Sequence, residues 1–308
     1  MQAEQYKSSV LNRAVKEAEL KKQVSEVFYL LMYMQQKQGI LLHHDSVYAS
    51  FLEKATLRFN LGESNILEKA TAETQRGQIA NQLRQLNNDA EILQLQFQLL
   101  LNTTTVFIPS DDQMKIDITS LAEGIAAGDH PEMKMLAQQK QISMANTLWE
   151  KSKRLPDLNI GFSDQSIRGT GADNIFYTSG KRFQSVQVGV GLPLFYGAQK
   201  ARIEAGKTLE QISDNQYRLR LQTLETAGQT AMKQYQTESQ TVRYFEESAL
   251  PNARLITQTA NLQFVNGDIN YLEWTQLINN AVTIESEYAE AIKDLNQTSI
   301  QLNYLMHK

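Results

Sequence analysis

The sequence predicts a mainly α protein in which one long antiparallel helical hairpin is built twice, with a single β-hairpin between the copies. Three observations carry this. Residues 55–101 reappear at 260–306 without gaps, at a constant offset of 205. The flanking stretches keep apolar seams at helical spacing over tens of residues. One stretch between the copies changes its apolar period from about 3.6 to 2.

The first element runs from about Gln2 to Asn60. Its apolar residues fall at 20, 24, 27, 31, 34, 41, 48, 52, 55 and 59, and only Gln38 and Asp45 interrupt the alternation of four and three. A 3.5-residue period predicts left-handed supercoiling against neighbouring helices. At about 1.5 Å per residue such a helix spans on the order of 80–90 Å, so it needs partners alongside. Leu61-Gly-Glu-Ser-Asn65 breaks it. Gly62 suits a left-handed C-terminal cap, Ser64 or Asn65 can cap the next helix, and Glu68 in its first turn complements the dipole. The return helix reaches about Leu101 with a stripe of Ile79, Leu83, Leu86, Ala90, Leu93, Phe97 and Leu100.

The repeat confirms the turn. Residues 55–68 lie over 260–273 with seven of fourteen pairs identical: Ala55/Ala260, Leu57/Leu262, Phe59/Phe264, Gly62/Gly267, Asn65/Asn270, Leu67/Leu272 and Glu68/Glu273. The second stripe, Ile284, Tyr288, Ala291, Leu295, Thr298, Leu302 and Leu305, departs from the first only at Thr298.

Between the copies, Asn102-Thr-Thr-Thr, Pro109-Ser-Asp-Asp112, Gly124 and Gly128-Asp-His-Pro131 mark a connector with one short helix at most. Pro131 opens a helix to about Arg154. After Pro156, Leu158, Ile160 and Phe162 alternate with Asn159, Gly161 and Ser163. After a loop from Gln165 to Arg182, Val186, Val188, Val190 and Leu192 alternate with Ser185, Gln187, Gly189 and Gly191. Two strands of about ten residues with one apolar face fit either spanning strands of a β-barrel or a soluble hairpin with one buried face. A second long helix follows from about Ala198 to Phe264, and Pro251 is expected to kink it. Gly267 turns the chain into a last helix. The chain thus divides into a first helical hairpin (1–101), a connector (102–130), a helix (131–154), a β-hairpin (155–196) and a second helical hairpin (197–308).

Composition narrows the function classes. The net charge of −4 and the lack of any basic run argue against nucleic acid. There are no cysteines, hence no disulfides or thiolate metal sites. No apolar run is long enough for a transmembrane helix, and the polar, helical first 25 residues are not a signal peptide. No Ser-His-Asp set, phosphate loop or zinc-spaced His/Glu pair points to catalysis, a cofactor or a metal. His43 and His44 are adjacent, so they leave a helix on different faces and read as surface polar residues. His130 reads as a loop residue. Met32 and Met34 suit packing, and Met133 and Met135, two apart, do not pair as a soft-metal site. Trp274 suits a helix seam.

The order of elements and three motifs resemble the TolC family of bacterial outer-membrane efflux channels. The motifs are the paired turns Phe59-Asn-Leu-Gly62 and Phe264-Val-Asn-Gly267, each followed by Asn-x-Leu-Glu; the strand entry Leu155-Pro-Asp-Leu-Asn-Ile-Gly161; and the strand exit Val188-Gly-Val-Gly-Leu-Pro-Leu-Phe195. The tip sequences and short connector look most like the heavy-metal (cation) efflux branch. The resemblance implies an α-barrel of long helices continuing into a transmembrane β-barrel, closed by a homotrimer in the bacterial outer membrane. It also implies helices reaching into the periplasm to meet an adaptor (membrane fusion) protein and an inner-membrane pump of the RND type.

By the same resemblance, Phe59, Leu61, Gly62, Phe264, Val265 and Gly267 form the periplasmic tips that contact the adaptor. Glu68 and Glu273 sit where acidic residues narrow the pore. The β-hairpin meets the lipid bilayer. One departure stands out: family members carry a helix and β-hairpin in each half, and here the first half starts directly in its long helix. An N-terminally truncated form is the expectation. The competing assignment is a structural coiled-coil protein such as the periplasmic adaptor itself, which has one helical hairpin rather than two.

Overall fold

The computed structural model describes all residues except 1, 111–113, 117, 119–126, 194, 196 and 307–308. The elements are α1 (Gln2–Asn60), α2 (Ile66–Leu101), a 3-10 turn (Ala127–Asp129) and α3 (Pro131–Ser152). Then come β1 (Asp157–Ser166), β2 (Gly169–Thr170), β3 (Phe176–Tyr177), β4 (Arg182–Gly191), α4 (Gly197–Tyr244), a π-helical turn (Phe245–Ala249), α5 (Leu250–Asn266) and α6 (Tyr271–Leu305). They form two compact units, Met1–Leu11 with Glu132–Arg220, and Asn12–Pro131 with Leu221–Lys308. Asp112 and Gly124 of the expected connector signals lie outside the described residues.

In the unit holding both helical hairpins, the core is an interhelical seam. Leu41, Tyr48, Phe51 and Ala55 of α1 meet Ala72, Ile79 and Leu86 of α2, Ala260 of α5, and Tyr271, Trp274 and Ile278 of α6. A second cluster joins Leu31 to Leu93 and Phe97. The two polar breaks in the α1 seam are both satisfied across the helix pair. Gln38 donates to Asn87 Oδ1 at 2.9 Å, and Arg76 Nε donates to Asp45 Oδ1 at 3.1 Å. A second stripe of α1 faces α6 through polar contacts. Tyr33 and Lys37 reach Glu290 at 3.3 and 3.2 Å, His44 lies 3.4 Å from Glu285, and Tyr48 donates to Asn279 at 2.7 Å. His44 is therefore not a surface residue. It is buried on the α6 side while His43 stays exposed, as adjacent helical positions require. His130 is also buried, edge-on to Tyr304 at 5.0 Å, and Met133 is enclosed.

Burial separates the two copies. α6 hides fourteen residues, including Ser299 and Asn296, whereas α2 hides five. Asn296 uses its burial to pin the connector: its Nδ2 donates to Met114 O at 2.7 Å and its Oδ1 accepts from Ile116 N at 2.9 Å.

Pro251 has no N–H to give and its ring would crowd the carbonyl four residues back. At this point the chain widens into the π-helical turn, with Leu250 N–H bonded to Phe245 O, so Pro251 enters in the first turn of a new helix. Glu246 in this turn accepts from Lys115 at 2.7 Å and Tyr288 at 2.9 Å.

In the other unit, α3 and α4 run antiparallel at close range. Arg220 donates to Glu132 (2.5 Å), Lys140 to Asp214 (2.6 Å), and Ser143 and Ser213 share a buried hydrogen bond of 2.7 Å. A Cβ on Gly206 would lie 2.8 Å from Thr147 Oγ1, so glycine is what permits the approach. β1 and β4 pair antiparallel over ten residues each, from Asp157↔Gly191 to Ser166↔Arg182. The stretch read from the sequence as a loop from Gln165 to Arg182 holds the small β2–β3 ladder, Gly169↔Tyr177 and Thr170↔Phe176.

Phe51 lies between Tyr271 (4.5 Å, stacked) and Trp274 (4.9 Å, stacked), and Trp274 Nε1–H donates to Asn261 at 2.9 Å. Phe51→Ala is expected to cost roughly 3–5 kcal/mol, read as a lower denaturant midpoint, with Leu57→Ala nearly neutral as the exposed control. The His44 hydrogen bond, against the cost of burial, holds the Glu285 carboxyl below its ordinary value of 4.5. A depressed folded pKa contributes stability above the unfolded value and loses it as pH falls through the folded one. The parent should therefore lose more stability than Glu285→Gln as pH drops below about 4.5 in pH-dependent unfolding.

Candidate functional site

Two helical tips and one open β-hairpin stand out as features that self-packing does not explain. At the tips, the sequence repeat becomes a repeat of hydrogen bonds. Gly62 and Gly267 adopt φ of 75° and 81°, the left-handed region that glycine enters without steric cost. Glu63 N–H bonds to Arg58 O at 2.9 Å, and Asp268 N–H to Gln263 O at 2.8 Å. These are the six-to-one bonds of a Schellman cap, formed twice at the same offset.

Asn65 then caps α2, its Oδ1 accepting from Leu67 and Glu68 N–H at 3.0 and 3.4 Å. Asn270 caps α6 by accepting from Glu273 N–H at 3.0 Å, and Glu273 Oε2 accepts from Asn270 N–H at 2.9 Å, closing a capping box. Glu68 is placed differently. Its carboxylate lies 3.5 Å from Arg58 Nη1. Both acids sit in first helical turns, where negative charge complements the dipole.

Of the six tip residues read from the sequence, Leu61 and Val265 are exposed at 64% and 74% and the glycines are also exposed. Phe59 is at the rim, with Lys69 Nζ 6.0 Å from its ring centroid. Phe264, its repeat partner, instead turns inward to Phe51 at 5.7 Å and Trp274 at 5.4 Å. Four further leucines share the exposed tip surface: Leu57 and Leu67, and their repeat partners Leu262 and Leu272, all at 60–69%. They were legible in the repeat, since an apolar residue kept twice at an exposed position serves something other than the core.

On the hairpin the register places like against like. Leu158 faces Val190, Ile160 faces Val188 and Phe162 faces Val186; Asn159, Gly161 and Ser163 face Gly189, Gln187 and Ser185. The six apolar residues are all 64–73% exposed. Among the described residues β1 and β4 pair only with each other, so each keeps one unpaired edge. No helix among the described residues is long and apolar enough to cross a membrane. Leu194 of the strand-exit motif, and Tyr196 just after it, lie outside the described residues.

Gly62→Ala and Gly267→Ala should each destabilise by about 1–2 kcal/mol in chemical denaturation, because neither Cβ would meet a neighbour and only backbone strain changes. Variants within error of the parent would mean that the tips relax out of the left-handed conformation.

A family model described as outer membrane efflux protein matches residues 124–306. No curated protein sequence matches. Solved structures match in fold over nearly the whole chain. The outer-membrane channel OprN is 15% identical with a TM-score of 0.84, over 97% of this chain and 68% of its own. A membrane protein from Pseudomonas aeruginosa is 14% identical with a TM-score of 0.87, over 99% of this chain and 72% of its own. The MtrE outer membrane channel of Neisseria gonorrhoeae, solved in its open state, is 14% identical with a TM-score of 0.83, over 99% of this chain and 69% of its own. Two helical hairpins with matched tips, an open hairpin with one apolar face, and a family match over more than half of the chain lead to one conclusion: this protein belongs to the outer membrane efflux protein family and is a component of an outer-membrane efflux duct.

Proposed function

We propose that this chain is a protomer of a trimeric duct, in which the β1–β4 hairpin contributes strands to the outer-membrane barrel and the helical hairpins reach into the periplasm. One observation carries the reading. The hairpin pairs Leu158, Ile160 and Phe162 with Val190, Val188 and Val186 on one face and leaves all six exposed, together with two strand edges that no described residue pairs. In hydrocarbon an unpaired backbone group costs several kcal/mol, so such a hairpin is stable there only when further strands close it. Copies of the same chain supply them at equivalent positions.

The two tips are the docking surface for a periplasmic adaptor protein, which in turn delivers cargo from an inner-membrane pump of the RND type. Support comes from the exposed apolar residues kept in both copies, Leu57/Leu262 and Leu67/Leu272, beside Leu61 and Val265. Glu68 and Glu273 form carboxylate rings that favour cations at the constriction. A metal cation as cargo rests on the tip sequences and on these acids. The carboxylate of Glu273 is shared with its capping box, so charge and cap must be separated by experiment.

Glutamine does this, because it retains the capping geometry while removing the charge. The protein in planar bilayers is expected to conduct as a trimer with a preference for cations. Glu68→Gln/Glu273→Gln should lower that preference at unchanged helix content. Conductance with identical selectivity in the variant would contradict the gate assignment. A monomer without conductance would contradict the duct itself.

A further inference from the structure

At the loop end of the β-hairpin one residue breaks the division of faces. The face opposite Leu158 and Val190 carries Asn159, Gly161 and Ser163 against Gly189, Gln187 and Ser185, and its last pair is Gln165 with Phe183. Phe183 is the one large apolar side chain on that face. It is 41% exposed, against 64–73% for the six residues of the apolar face, so something covers it. The cover is Tyr177 of β3, whose ring stands edge-on to Phe183 at 5.2 Å. Other contacts hold Tyr177 in this place. Its hydroxyl donates to Asp173, and Lys181 Nζ lies 4.4 Å from its ring centroid. A Cβ on Gly171 would lie 2.6 Å from Tyr177 Cε2 and 2.5 Å from Asp173 Oδ1, so only glycine lets the turn close on the ring. Pairing with Gly169 fixes the Tyr177 backbone. The pairing of β1 with β4 is complete without the Tyr177–Phe183 contact. That contact seats the loop toward the polar face.

We propose that the β2–β3 loop narrows the outer mouth of the duct, with Tyr177 and Phe183 as the residues that set the size of solute it passes. The inference rests on the reading that the β1–β4 hairpin lines an outer-membrane barrel. On that reading the apolar face meets lipid and the polar face meets the lumen, so a loop seated on Phe183 lies over the lumen. α3 and α4 join the hairpin at its Asp157–Gly191 end. The loop therefore stands at the opposite end, away from the helices and the periplasm. In the proposed trimer three such loops surround one mouth. Behind them the polar face is lined by Ser163, Ser185, Gly161 and Gly189, which take up little space. The aromatic pair is the bulkiest feature of this chain's lumen face. It acts on size rather than charge, because Tyr177 is neutral and has Asp173 at its hydroxyl and Lys181 over its ring.

The test is thiol labelling in intact bacteria that express the protein. The chain has no cysteine, so Ser185→Cys places a single thiol on the polar face, one same-face pair behind Phe183. Ser179→Cys places one in the exposed loop and reports that the hairpin has reached the cell surface. A small maleimide should label both. A bulky poly(ethylene glycol) maleimide, which cannot cross the outer membrane, should label Ser179→Cys quickly and Ser185→Cys slowly. Adding Tyr177→Ala to Ser185→Cys should speed the bulky reagent about threefold to tenfold, the range that loss of one aromatic pair gives a closed–open balance. Phe183→Ser removes the seat from the strand side and should act alike, whereas Tyr177→Phe keeps the ring and should label as slowly as the parent. Ser179→Cys in each background checks that the hairpin is still at the surface. Bulky labelling of Ser185→Cys as fast as of Ser179→Cys, or no acceleration in either opening variant, would overturn the constriction and leave the duct standing. No bulky labelling of Ser179→Cys in the parent would overturn the outer-membrane reading on which the inference rests.

Discussion

An unpaired strand edge is tolerable in water and prohibitive in hydrocarbon. Much of this protein follows from that constraint. β1 and β4 satisfy one edge each by pairing over ten residues and leave the other edge open. Leu158, Ile160, Phe162, Val186, Val188 and Val190 share one face, so in the proposed role burial in lipid and closure by further strands solve the same problem together. A hairpin also returns the chain to the end where it entered. α3 and α4 are therefore obliged to stand side by side, and Gly206 against Thr147 is the local consequence.

The helical hairpins answer a related constraint. A helix of 59 residues such as α1 cannot fold back onto itself, so its seam must be covered by other helices along its length. Apolar residues cover most of it. Where polar residues interrupt the seam, Asn87 and Arg76 arrive from α2 to meet them, and Glu290, Glu285 and Asn279 meet the second stripe from α6. Two copies of one sequence motif thus occupy different environments: α6 buries fourteen residues and α2 five.

The sequence made the period-determined features legible. The offset of 205 located both tips and their glycines and left the α2 cap between Ser64 and Asn65, and the change to a two-residue period located β1 and β4 to within a few residues. Features that depend on a third partner were hidden. Phe51 is off the simple seam yet buried, because Tyr271 and Trp274 stack on it from another helix. The burial of His44 depends on Glu285, which is 241 positions away. The π turn that admits Pro251 was also hidden, since it forms where Lys115 and Tyr288 hold Glu246. At the candidate site the divergence of Phe264 from Phe59 has the same origin: the repeat partners of Trp274 and Tyr271 are Lys69 and Ile66, which form no aromatic nest.

The membrane role of the β1–β4 face is the central claim. The absence of cysteine allows single cysteines to be placed along β1 from 158 to 163 and spin-labelled without background. In lipid vesicles, collision with oxygen should be high at Leu158, Ile160 and Phe162, and collision with a water-soluble nickel chelate high at Asn159, Gly161 and Ser163. All six positions equally open to the nickel chelate, with no alternation, would contradict the account.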